Sequence, residues 1–506
     1  MPFGLFKTTA FCALMIFTTA PAFADVTPEE VWQSWQDLGG VYGQTYSAGS
    51  QTRAGDSLIV KDMKIAVDQD GTKLSGTLPE VTFRDMGDGR VEVGMPATYA
   101  LQMETLNGVG KPVTNSITVT QAGVSLIASG TAQDVTHDFS ADTVGLRAAD
   151  VVVDSEPRDM AFDLTMSKLA MMYRMAAGDM VATTSTFAAQ RFDYKAAGKP
   201  DAGAGSFDVS GSMVNLAGAS AGAMPKGAIG GDMIAQLAQG MNTDASFTYD
   251  SGNLTVAGTD ENSGKMNFAS TSQGGTVNVS VDKARLAYGL TGRGVQMTAS
   301  GSSIPFPELT AGYDTAGLTL LIPVAKSDEP RDFVIETRLE GLTVSDMIWS
   351  MVDPGATLPR DPATLIMSLK GTAKVLADLM VDDGPGPDMM ESPFQVETLD
   401  IDALQLTVAG AELKGDGALT FDNAQAPILG GVAPMPVGKV NLSLTGATGL
   451  LEKLVALGLV DPQMTAMFGM FAGMLAKPGP TPDSLIAEVE IKEGGQILSN
   501  GNPLPF

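Results

Sequence analysis

An apolar/polar alternation of period two, broken at short intervals by glycine, constrains this chain more than any other feature. In "TVNVSVD", Val277, Val279 and Val281 alternate with Thr276, Asn278 and Ser280, and "KVNLSLTG" repeats the pattern with Val440, Leu442 and Leu444. Successive side chains of a strand point to opposite faces, so each run is a half-buried strand with one apolar face. From about Ser57 onward such runs recur between hairpin signals, among them Asp70-Gly71, Asp88-Gly89, Gly274-Gly275 and Asp416-Gly417. The expected fold is mainly β: a long antiparallel sheet, a half-barrel or a sandwich, with a few short helices. No repeat of fixed length is visible. The stretch Ala363 to Leu379 has a helix-forming composition, yet Leu365, Met367, Leu369, Ala373 and Val375 alternate with polar residues, so a strand is expected. Leu164 to Met180, rich in methionine, is open between helix and strand, and strand is preferred.

Helices interrupt this pattern in few places. In "DVTPEEVWQSWQDLGG", Thr27 can cap, Pro28 suits the first turn and Glu30 completes a capping box. Val31, Trp35 and Leu38 then share one face, and Gly39-Gly40 ends the helix; docking on the body of the protein is the plain expectation. Further helices are expected at about Asp232 to Gln239, at Ser345 to Val352, and as a pair within residues 449–476.

The opening "MPFGLFKTTAFCALMIFTTAPAFADV" reads as a secretory signal peptide over residues 1–24, with cleavage after Ala24. Its apolar run is too short to span a bilayer. A periplasmic protein beginning at Asp25, with no transmembrane segment after cleavage, is expected. Cleavage also removes Cys12, the only cysteine, leaving no disulfide and no thiolate metal ligand. The formal charge of −27, one unit more negative once Lys7 leaves, is carried by scattered carboxylates. Such a surface disfavours nucleic acid and anionic membrane surfaces as partners. Glycine and proline, 58 and 28 of 506 residues, punctuate a folded chain. A β region with the N-terminal helix is expected over 25–200, a Gly/Ala-rich connection over 201–231, and a second β region with the helical pair over 232–506; "DDGPGPD" marks a shorter break.

Chemical motifs are sparse. Gly218-Ala219-Ser220-Ala221-Gly222 matches G-x-S-x-G in form, but that nucleophile elbow needs a parallel sheet and a histidine later in the chain. The single histidine, His137, precedes it and reads as a surface or turn residue. One imidazole without cysteine does not make a zinc site. "VDQDGTK" and "GTDENSGK" lack the ligand ladder of a calcium loop and read as ordinary turns. Paired carboxylates of a carbohydrate hydrolase leave no sequence signature, and three tryptophans and eight tyrosines offer few sugar platforms. No phosphate or dinucleotide motif is present. No catalytic residue, cofactor or metal is expected.

In "VDPQMTAMFGMFAGMLAKPG", Asp461 caps a helix with Pro462 in its first turn. Met464, Met467, Phe468, Phe471 and Met474 fall on one stripe, with Met470 at its edge. The stripe is core, an adaptable apolar face for lipid or a partner, or, least in keeping with its surroundings, a thioether site for copper(I). These six residues are the candidate ligand contacts.

The chain resembles the alphaproteobacterial exported proteins that share domain of unknown function 2125. "VWQSWQDLGGVYG", "GDSLIVKDM", "SIPFPEL", "DMIWSMVDPGATLPRDPATL", "GAELKGDGALTFDNA", "GLLEKLVALGLVDPQM" and "SNGNPLPF" carry the resemblance. It implies an exported envelope protein and transfers no functional residue. The C-terminal layout also resembles AsmA-like envelope proteins, which implies long sheets with apolar grooves that serve lipid handling or outer-membrane assembly. The expected function is a non-enzymatic periplasmic protein holding an acyl-chain ligand or assisting lipid homeostasis, with lipid or an envelope protein as partner. The alternative is a structural or interaction protein with a closed β core and no ligand.

Overall fold

The computed structural model describes residues 25–41, 43–69, 71–199, 205–225, 233–260, 264–380, 392–423 and 434–504. The expected signal peptide and the "DDGPGPD" break lie outside the described residues. Five helices are described: α1 (Pro28–Val41), α2 (Met233–Ala238), α3 (Asp346–Val352), α4 (Ala447–Ala456) and α5 (Pro462–Leu475). All other regular structure belongs to one sheet of 28 strand segments. The chain lays it down as an up-and-down meander, each long strand antiparallel to its neighbours in sequence. Ser57–Gln69 pairs with Thr72–Asp85, Asp134–Val153 with Asp159–Ala176, and so on to Pro436–Thr445 with Ser484–Ile491. The first strands, Gln44–Ser47 and Ser50–Ala54, do not pair with the last, Ile497–Ser499 and Asn502–Pro503, so the sheet is open. Both ambiguous stretches are strands, Asp159–Ala176 and Ala363–Val375.

The Gly/Ala-rich stretch differs from its expected role as a connection. Ser206–Pro225 is a full strand, paired along one edge with Met180–Lys199 and along the other with Asn242–Tyr249 and Ser251–Asp260. Two of its glycines sit where neighbouring rings need room: a Cβ on Gly218 would collide with the Phe187 ring and one on Gly211 with Tyr194. Low side-chain volume here serves close packing of large neighbours, and composition alone does not separate that from a linker.

Several long strands bend at a residue in the left-handed region, including Lys168 (φ 51°), Asn215 (φ 52°) and Gly341 (φ 68°). Each faces a carboxylate across the ladder. Lys168 Nζ lies 2.7 Å from Asp142 Oδ1, Asn215 Nδ2 donates to Asp250 Oδ2 at 2.9 Å, and a Cβ on Gly341 would run into the Asp314 carboxylate. Opposite Gly341 the register slips by one residue, as at a β-bulge, whereas at Lys168 and Asn215 the pairing runs unbroken while the apolar/polar alternation shifts by one. Leu169, Met171, Tyr173 and Met175 therefore share a face with Met166, Leu164 and Phe162. Leu169 and Met166 indeed belong to one packed cluster with Phe187, Phe192, Met213 and Leu216.

The largest buried cluster lies under α1. The capping box forms: Thr27 N donates to Glu30 Oε2 at 2.8 Å, and Glu30 N to Thr27 Oγ1 at 3.3 Å. Val31 and Trp32 are buried against Val60, Met63, Leu78, Val81 and Phe83. Trp32 stands 5.9 Å from Phe83, and Trp35 meets the same ring edge-on at 5.3 Å between centroids. Trp32, outside the face expected from sequence, is thus the more deeply buried of the two. Each large apolar side chain sealed here contributes about 1.5–3 kcal/mol.

Candidate functional site

Directly paired residues of antiparallel strands share a face. Following the register from strand to strand traces one row across the sheet: Phe139, Met171, Phe187, Gly218, Phe247, Val277, Leu290, Leu318, Thr337, Met367, Leu404, Gly415, Leu442 and Ala487. Thr337 is the only hydroxyl-bearing member. A parallel row runs Leu339, Leu365, Leu406, Leu413, Leu444 and Leu485. The row one residue away belongs to the other face and is largely polar: Thr186, Ala219, Ser246, Asn278, Gly289, Thr319, Glu336 and Ser368. Ser368 Oγ donates to Glu336 Oε1 there at 3.1 Å.

Among the described residues the cover of the apolar face is deepest at one end, where α1 lies. Farther along, Met171, Leu290, Leu318, Leu365 and Leu406 are 44, 43, 38, 38 and 42 % exposed, and Met266 reaches 55 %. Scattered exposed leucines are ordinary on a protein surface, but a register-aligned apolar row is a contiguous patch. Rings add local order: Phe187 and Phe247 stack at 6.1 Å, and Tyr249 lies 6.2 Å from Phe247. Sequence reasoning did not single out Leu290, Leu318 or Leu406, and took Leu365 only as a sign of a strand. Period two places each on one side of its own strand, whereas the row exists only once every register is known.

The expected ligand contacts lie elsewhere. Helix α5 begins as expected, with Asp461 Oδ1 accepting from Gln463 N at 2.8 Å and Pro462 at its start. It packs on α4 and on the strand Ser484–Ile491. Ser499 Oγ and Asn500 Nδ2 both donate to Leu475 O. No α5 residue is buried. Met464, Met467, Met470 and Phe471 are 52, 51, 62 and 46 % exposed, while Phe468 and Met474 are half-buried. Among the described residues the stripe is therefore not a core: four of its six members are exposed and the other two are only half-buried.

The remaining motifs resolve differently. Ser220 sits in the middle of a strand, within hydrogen-bonding distance of Ser185 Oγ at 2.8 Å, not on a strand-to-helix turn. His137 is buried, against its expected place on the surface. Trp35 Nε1 donates to its Nε2 at 3.1 Å, and Nδ1 has no hydrogen-bond partner among the described residues. Burial holds the imidazole down to a pKa of about 4, so it is neutral, with its proton on Nδ1. One depression of about 860 Å³ is lined mostly by small residues such as Thr184, Ala219, Ser246 and Asn278, with Asp244 and Arg285 its charged groups. Among the described residues no three His, Cys, Asp or Glu side chains converge on a metal-sized site. No described helix is long and apolar enough to cross a membrane.

A family model described as "Uncharacterized protein conserved in bacteria (DUF2125)" matches residues 240–500. The match spans the sheet from Asn242–Tyr249 onward together with α3, α4 and α5. The blocks from "SIPFPEL" to "GLLEKLVALGLVDPQM" fall inside it, and the two N-terminal blocks fall outside. No curated protein and no solved structure matches the chain.

Proposed function

Since the chain belongs to the DUF2125 family of uncharacterized proteins conserved in bacteria, a premise that brings no activity with it, we propose a non-enzymatic role: an exported, periplasmic protein that holds acyl chains on the apolar face of its sheet. One observation carries this reading, the row from Phe139 to Ala487 across fourteen strands, apolar at every member but Thr337 and left half-open to solvent. At ~4.8 Å between strands it extends about 60 Å along the sheet. The acyl chains of one bilayer leaflet occupy about 15 Å, so the face has room for several. Each CH₂ removed from water contributes about 0.8 kcal/mol, enough to retain a partly covered chain without any polar anchor.

The test is extraction of the protein purified from its native periplasm with organic solvent, followed by mass spectrometry. Co-purifying lipids are expected. Combining Leu290→Asp and Leu318→Asp is expected to reduce their amount several-fold, with the fold retained because both positions are already solvent-accessible. Lipid-free wild-type protein, or loading unchanged in the double variant, would count against this role.

A further inference from the structure

A second apolar surface lies at one end of the strands, where Ser327–Val344 and Pro436–Thr445 finish and α3, α4 and α5 are attached. Met351 and Val352 of α3, Leu459 between α4 and α5, and Met467, Met470 and Phe471 of α5 are all exposed. At the opposite end, among the described residues, the only exposed large apolar side chain outside the strands is Leu376. The apolar end is a built platform. Buried Asp353 accepts from Thr357 N at 2.9 Å and Leu358 N at 2.8 Å, closing the loop after α3. That loop packs on the next turn, where a Cβ on Gly410 would stand 2.9 Å from Pro359 Cγ. The Asp483 carboxylate accepts from Gly449 N at 3.0 Å at the start of α4.

We infer that this end lies on the surface of a lipid bilayer with electrically neutral headgroups, with the exposed stripe of α5 sunk to the level of the acyl chains. Helix α5 has no charged residue from Pro462 to Leu475, so no charge has to be stripped of water when its stripe enters the acyl layer. Flexible methionines suit a fluid acyl environment that has no fixed shape to match. Fourteen residues make a helix about 21 Å long, too short for the ~30 Å hydrocarbon core, so it meets a bilayer from the side rather than by spanning it. The net charge of −27 opposes an anionic surface, which selects neutral headgroups. This inference concerns a different surface from the acyl-binding face and stands without it.

The experiment is flotation of the exported protein with phosphatidylcholine vesicles. Wild type is expected to float, less so as phosphatidylglycerol is added at low salt. The triple variant Met467→Asp, Met470→Asp, Phe471→Asp is expected to bind roughly tenfold or more weakly, with an unchanged circular dichroism spectrum. An environment-sensitive fluorophore on Met470→Cys, in a Cys12→Ser background, should shift to the blue on vesicles, and one on Lys283→Cys at the opposite end should not. Wild type that fails to float, as it would if a protein covered α5, overturns the inference. So does flotation undiminished in the triple variant, or an equal shift at both labels. Lipid loading of the sheet is read separately by extraction, so either surface can fail alone.

Discussion

At His137 desolvation and protonation work against each other. The imidazole is packed beneath α1, where burial lowers its pKa from 6.5 to about 4. The unfolded chain takes up a proton as pH falls through 6.5, while the folded chain stays neutral until about 4. Stability contributed by the neutral ring is therefore complete above pH 6.5 and is lost between 6.5 and 4, by about 3 kcal/mol at most. Urea denaturation at pH 7 and pH 4.5 should show this loss in wild type and a flatter profile in His137→Gln, which keeps an acceptor for Trp35; equal slopes would discount the histidine. The capping box of Thr27 and Glu30 was legible because both partners lie within one turn. The burial of His137 was not, because its cover, Trp35, lies 102 residues away in sequence.

Helix α5 separates what an amphipathic pattern establishes from what it leaves open. Its ends were readable from Asp461, Pro462 and the spacing of Met and Phe, and the structure places it at Pro462–Leu475. What covers the stripe depends on the rest of the fold, and among the described residues Met464, Met467, Met470 and Phe471 are left exposed. Met467, half exposed, should therefore tolerate truncation: Met467→Ala is expected to change unfolding free energy by less than about 0.5 kcal/mol. A buried methionine would lose about 2–5 kcal/mol, and Phe83→Ala, in the cluster under α1, should lose about 3–5 kcal/mol. Chemical denaturation of the two variants side by side checks both. The strand Ser206–Pro225 teaches the converse lesson. Glycine and alanine there resemble a linker until Phe187 and Tyr194 are seen to occupy the space that Gly218 and Gly211 leave.

Across the whole molecule the core is unevenly distributed. Residues 26–135 hold its largest cluster, whereas the described strands beyond Ser206–Pro225 carry an apolar face that is mostly half-buried, with Leu290, Leu318, Leu365 and Leu406 exposed. A meander in which each strand contacts mainly its neighbours in sequence opens locally, and regions with few buried side chains open at the least cost. Apolar ligand on the exposed face would stabilise those strands in particular. A ligand at 100 times its dissociation constant adds about 2.7 kcal/mol to whatever opening it opposes, which slows amide exchange about a hundredfold. Delipidated protein with a monounsaturated fatty acid added is expected to gain protection in Leu309–Pro323, Ser327–Val344 and Ala363–Val375, which carry Leu318, Leu339 and Leu365. Ser57–Gln69, already sealed by α1, should exchange as before. Equal protection in both regions would point to general stabilisation by the amphiphile. No change in the strands carrying Leu318 would separate the apolar row from ligand binding altogether.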